Sequence, residues 1–189
     1  MSTMKPTENK LIVCGKFRSG KDLVSSYLVL YYDFQPFAFA DELKSAFHRA
    51  FPEVPTVPKP RAGYQKFGEW ACEMFGDRIW INKTDRAIHR YNGPNVLISD
   101  MRKQIEHDYA RENGFTIIRI NASDDVRITR AKEAGDDFNE ESLRHYTEVD
   151  LDNFSVDFDV DNSGTTEELY AQLDAIMASL GIPQKVAGE

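Results

Sequence analysis

The order of apolar runs and helix-period stretches predicts an α/β protein: a five-stranded parallel sheet sandwiched by helices. Three observations carry the prediction. Short apolar runs alternate with longer amphipathic ones along the chain, the pattern of successive βαβ units. The run "NVLISD" holds consecutive apolar residues, Val96 to Ile98, without polar alternation, as strands covered on both faces do. No repeat, low-complexity block or long linker interrupts the 189 residues, a length that suits one domain with a sizeable core.

Taken in order, "KLIVCG" reads as a buried strand ending at Gly15, and "KDLVSSYLVLYY" as a helix with Leu23, Tyr27 and Leu30 near one face. "FQPFAFA" reads as a second strand, with Asp41 placed to cap the helix "ELKSAFHRAF". "PEVPTVPKP" holds four prolines in nine residues and is excluded from regular structure. "GYQKFGEWACEMFG" and "DRIWINKTDRAIHRY" read as two helices broken at Gly76. "NVLISD" is the third strand, "RKQIEHDYAREN" a helix stopped by Gly114, and "FTIIRI" the fourth strand. "SDDVRITRAKEAG" is a helix capped by Ser123, and "DDFNEESLRHYTEVDLDNF" is polar and partly helical. "VDFDV" alternates as a fifth strand, and "TEELYAQLDAIMASLG" closes the chain as an amphipathic helix. Residues 1–9 and 182–189 read as tails flanking a domain over 10–181. Gly15, Asp41, Asp100, Asn121 and Asn162 all fall at or just after predicted strand ends, where open α/β sheets bind ligands.

Composition narrows the function classes. Hydrophobic residues make up 41% and charged residues 29%, with a net charge of −8. That balance disfavours a nucleic-acid binder, which needs a basic footprint. Two cysteines, Cys14 and Cys72, form neither a disulfide framework nor a zinc pattern, and point to a reducing, cytoplasmic setting. No apolar stretch reaches membrane-span length, and the polar start is unlike a signal peptide. Oligomeric state is left open, with a homodimer among the options.

The chemistry concentrates in "GKFRSGKD", Gly15 to Asp22, which has the G-x-x-x-x-G-K spacing of a phosphate-binding loop between a strand and a helix. Gly15 and Gly20 permit backbone angles that turn successive N–H groups, including that of Ser19, toward an anion. The helix N-terminus adds partial positive charge. Lys21 reaches the β- and γ-phosphates of ATP, and Lys16 and Arg18 reinforce the cationic loop. Asp22 stands where Ser or Thr is usual; its carboxylate is a hard oxygen ligand that suits Mg2+. Asp100, ending the third strand, stands where an acid orients the same ion. Arg102 follows it toward the same crevice. Arg127 and Arg130, in the charged helix after the fourth strand, suit a lid over the transferred group. "HYTE", from His145 to Glu148, lacks the companions that a zinc site needs.

These segments resemble the phage-type deoxynucleoside monophosphate kinases. "GKFRSGKD", with Asp after the lysine, "FADELK", "YQKFGEWACEMFGDRIWIN", "ISDMR", "HYTE" and "VDNSGT" carry the likeness over roughly Lys10 to Leu180. Animal-type phosphomevalonate kinases are nearly as similar, sharing the loop, the Asp-x-Arg and the "LDNF" run. Both are P-loop NTPases of the nucleoside monophosphate kinase type. The resemblance implies transfer of the γ-phosphoryl group of Mg-ATP to a phosphorylated acceptor. A deoxynucleoside monophosphate is the first choice, phosphomevalonate the alternative, and a non-catalytic ATP-binding module the distant one. It also implies that Asp41, Lys44, Gln65, Arg78, Trp80 and Arg102 serve the acceptor, within a region of about 41–92. Arg130 is then the lid arginine, in a lid over about 123–148, and Asn162 and Gly164 border the adenine. "PEVPTVPKP" matches nothing in either family, yet lies where the acceptor should bind.

Overall fold

In the computed structural model, which describes residues 9–135 and 151–185, five strands form one parallel sheet. In chain order they are β1 (Asn9–Cys14), β2 (Gln35–Phe37), β3 (Asn95–Met101), β4 (Thr116–Asn121) and β5 (Phe158–Asp161). Their spatial order is β2-β3-β1-β4-β5. β1 lies at the centre, with Leu11 opposite Leu97 of β3 and Thr116 of β4. The helices are α1 (Lys21–Tyr32), α2 (Phe39–Ala50), α3 (Arg61–Phe75), α4 (Ile79–Arg90), α5 (Gln104–Glu112), α6 (Asp124–Glu133) and α7 (Thr166–Ser179).

Strand alternation sorts the apolar residues into two cores. Leu11 and Val13 of β1 join Leu97, Ile118, Ile120 and Val160 under α1 and α7. Ile12 and Cys14 point the other way and meet Phe39, Ile81, Tyr109, Leu151 and Phe154. Burial on both faces explains why β1 and β3 read as unbroken apolar runs. Two tyrosine hydroxyls fasten α1 to α7: Tyr27 and Tyr32 both donate to Asp174 Oδ1, at 2.7 and 2.6 Å.

Several sequence expectations shift. α1 buries Val24, Tyr27, Leu28 and Tyr32, whereas Leu23 is 39% and Leu30 65% exposed. Both sets have helical spacing, so only the direction in which the loop launches α1 selects the buried face. β2 stops at Phe37, and Phe39 and Ala40 open α2 instead of ending the strand. The cap of α2 is not Asp41 but Asp100, from the end of β3. Its Oδ1 accepts from Phe39 N–H (2.8 Å) and its Oδ2 from Ala40 N–H (2.9 Å). The break at Gly76 stands, at a φ of 92°. Ser123 caps α6 and Thr165 caps α7, each accepting an N–H three residues on. At the C-terminal end, Ile182 is 5% exposed against α1 and α7, and Lys185 N–H donates to the Tyr31 carbonyl, so the segment through 185 is docked.

Candidate functional site

The loop from Gly15 to Lys21 is shaped by contacts that leave no room for other residues. A Cβ on Gly15, at φ 151°, would lie 2.4 Å from the Ile120 carbonyl oxygen. A Cβ on Gly20, at φ 100°, would lie 2.1 Å from Asn162 Nδ2. Three successive loop carbonyls are tied back from outside. Arg127 Nε donates to Phe17 O (2.7 Å), Arg130 Nη1 to Arg18 O (3.5 Å) and Asn162 Nδ2 to Ser19 O (2.8 Å). Because a trans peptide points its C=O and N–H in opposite directions, pinning the Phe17, Arg18 and Ser19 carbonyls turns the following N–H groups the other way. Lys21 Nζ folds over the loop and donates to the carbonyls of Gly15 (2.7 Å) and Lys16 (2.8 Å). Ser19 Oγ is buried with no hydrogen-bond partner among the described residues.

Lys21 and Asp22 open into two adjoining clefts. One, of about 620 Å³, runs past Ser99 and Asp100 at the end of β3 to Asp41 and Lys44 of α2 and to Tyr64 and Trp80. The other, of about 690 Å³, follows the loop past Phe17, Arg18 and Gly20 to Arg130. Lys21, Asp22, Lys59, Arg61 and Arg102 line both. Asp22 is exposed, and its carboxylate has no partner among the described residues. Burial pushes the Asp100 carboxyl above the usual range, against the pull of its two N–H donors. Glu106 also borders the first cleft; burial raises its pKa to about 7, although Oε2 accepts from the N–H groups of Arg102 (2.7 Å) and Lys103 (3.0 Å).

The structure brings together Lys21, Asp22, Asp41, Lys44, Trp80, Asp100 and Arg102 around the first cleft, and Arg18 and Arg130 around the second. Trp80 is buried, with its indole N–H on the Gly68 carbonyl at 3.4 Å. Other residues lie elsewhere. Gln65 is exposed and bonded to Glu69 (3.1 Å). Arg78 pairs with Glu112 at 2.7 Å, and Lys16 with Asp152 at 2.7 Å. Arg127 is 2% exposed and braces the loop. Asn162 does the same from the end of β5. Gly164 precedes the Thr165–Glu168 capping box of α7, and a Cβ there would lie 2.1 Å from Glu168 Oε2. Asn121 donates to Asp159 instead of facing the crevice. "HYTE" and the lid beyond residue 135 lie outside the described residues. Sequence reasoning passed over Lys59 and Arg61, which flank Pro60 in the proline-rich stretch, and also Tyr64, Lys103 and Glu106. The only available signal for the first two was basic residues placed in a stiff connection.

No family model matches the chain, and no curated protein matches it. Solved structures do. The chain is similar to TT1252 from Thermus thermophilus (TM-score 0.60, 17% identity, 92% of this chain and 99% of that one). It is similar to a gluconokinase from Sinorhizobium meliloti 1021 (TM-score 0.57, 18% identity, 93% and 95%). It is also similar to the shikimate kinase from Acinetobacter baumannii in complex with shikimate (TM-score 0.54, 10% identity, 93% and 94%). The five-stranded parallel sheet with its strand-loop-helix start therefore has the P-loop kinase fold of the nucleoside monophosphate kinase type. Among the described residues no helix is long and apolar enough to cross a membrane.

Proposed function

We propose that this protein is a kinase that transfers the γ-phosphoryl group of Mg-ATP to a small phosphorylated acceptor, with a deoxynucleoside monophosphate as substrate. The observation that carries the reading is a phosphate loop whose lysine and following carboxylate open into a cleft lined by Asp100 and Arg102. The residues fit the groups they would hold. Ser19 Oγ is a buried hydroxyl in want of a partner, and neither Gly15 nor Gly20 leaves space for a Cβ. Asp22 and Asp100 are hard oxygen donors lining one cleft, the donor type that Mg2+ prefers. When bound, magnesium neutralises phosphate charge and helps align the reacting oxygens.

The chain's own residues supply the rest. Lys21 balances charge on the β- and γ-phosphates from its perch on the loop carbonyls. Asp22 and Asp100 hold the ion, and a cation there favours the ionised Asp100 that burial alone disfavours. Arg102, at the seam of the two clefts, stabilises the charge that spreads over the phosphoryl oxygens. Arg130 approaches from the donor side. Phe39, Tyr64 and Trp80 give the first cleft aromatic surface suited to a flat base. An acceptor phosphate is already anionic, so attack needs no strong general base.

The test is ADP formation by purified protein given Mg-ATP with each dNMP, each NMP, phosphomevalonate or shikimate. Turnover with a dNMP, abolished in Lys21→Ala, is the expected result. Turnover restricted to phosphomevalonate or shikimate refutes the nucleotide acceptor. Acceptor-independent behaviour with all of them refutes the kinase reading, and full activity in Lys21→Ala refutes the loop assignment.

A further inference from the structure

The proline-rich stretch carries two cations whose position no local pattern explains. Lys59 and Arg61 flank Pro60, and both line the cleft that holds Asp41 and Trp80 and the cleft that holds Arg18 and Arg130. They sit at the seam, beside Lys21 and Arg102, where a group leaving one cleft would enter the other. Both are exposed, and neither has a hydrogen bond or ion pair from its side chain among the described residues; the same holds for the Arg102 guanidinium. Three of the four acids that line the first cleft are otherwise engaged. Asp41 is paired with Lys44 at 3.0 Å, Asp100 accepts from two α2 N–H groups, and Glu106 accepts from two of its own turn. Three cations thus share one seam with a single acid, Asp22, among the described residues that line both clefts, in a chain of net charge −8.

The arm that presents them is stiff. Pro52, Pro55, Pro58 and Pro60 each lock φ, and Arg61 N–H donates to the Lys59 carbonyl across Pro60 at 2.8 Å. The backbone that carries them loses little freedom on binding, so less of their attraction is spent on ordering the chain. A guanidinium fork and an ammonium lining the same two clefts suit a phosphate dianion better than a neutral hydroxyl compound.

We propose that Lys59 and Arg61 are the acceptor-phosphate clamp, the specificity-determining pair that holds the phosphate of the acceptor at the seam. The inference rests on the kinase reading above and deepens it: the pair selects phosphomonoesters over their dephosphorylated counterparts.

The test compares wild type, Lys59→Gln, Arg61→Gln and Lys59→Arg. Exposed positions tolerate these changes, so melting curves should match the wild type. With a dNMP as variable substrate, each glutamine variant should raise the acceptor KM about 10- to 100-fold. The ATP KM should stay within about twofold, and Lys59→Arg should recover most of the loss. An unchanged acceptor KM, or a rise confined to ATP, overturns the clamp. If wild type phosphorylates no dNMP, the nucleotide reading fails by itself, and the clamp is then judged by calorimetric titration of Mg-ADP-loaded protein with inorganic phosphate. Wild-type binding that weakens at least about tenfold in both glutamine variants upholds it. Equal affinity, or no wild-type binding, overturns it.

Discussion

At Glu106 a carboxyl is held between two opposing influences. Burial beside Asp100 favours its neutral form, and two backbone N–H groups favour its charge; burial prevails and the pKa rises from 4.5 to about 7. A group that binds its proton more tightly when folded stabilises the fold fully below its unfolded pKa, and that contribution is lost as pH rises through the folded value. Stability should therefore fall between about pH 4.5 and 7 through this group. In metal-free buffer, Glu106→Gln keeps an acceptor for the two N–H groups and removes the proton. Thermal melts at pH 5 and pH 8 should differ less in the variant than in wild type; an unchanged difference would show that Glu106 does not titrate in this range. Nothing in "QIEHDYARE" marks Glu106, because its burial comes from the end of β3, while Lys21 and Asp22 were legible from spacing alone. Arg127 shows the same limit from the other side. A charge-rich helix gives no sign of which arginine turns inward, and this one is buried to hold the Phe17 carbonyl.

Among the elements, α2 best separates local from tertiary control. Its first turn contains Asp41 and Glu42, favourable beside a helix N-terminus. Yet no residue of its own caps it, and Asp100, about sixty positions away, supplies both acceptors. Asp100→Ala should cost about 1–3 kcal/mol of unfolding free energy in urea, through two lost hydrogen bonds from the α2 N–H groups. The measurement in the absence of nucleotide and metal isolates this role from the proposed metal role, and a loss below about 0.5 kcal/mol would contradict it. The strand expected over "FQPFAFA" ended early for the same reason: the carboxylate at the β3 end draws the Phe39 and Ala40 N–H groups into a helical turn. The element thus does two things at once, because the residue that starts α2 also delivers Asp41 and Lys44 to the cleft.

For the molecule as a whole, the C-terminal segment tests how far the fold extends. Ile182, read from sequence as the start of a tail, is buried under α1 and α7, and Lys185 reaches Asp33 at 3.1 Å. Ile182→Ala should lower unfolding free energy by about 2–4 kcal/mol, read from a denaturant midpoint, and leave the acceptor KM unchanged. A loss under about 0.5 kcal/mol would show that the segment is not part of the core. Hydrophobic periodicity and turn chemistry act over a few residues, so the chain alone determined the order of strands and helices, the break at Gly76, the cap of α6 and the loop itself. Burial and pairing are set by residues far apart in sequence. Only the tertiary structure could place β1 between β3 and β4, choose which face of α1 is covered and send Gln65 and Arg78 away from the cleft. It also carried Lys59 and Arg61, from a stretch that matched nothing, to the seam of the two clefts.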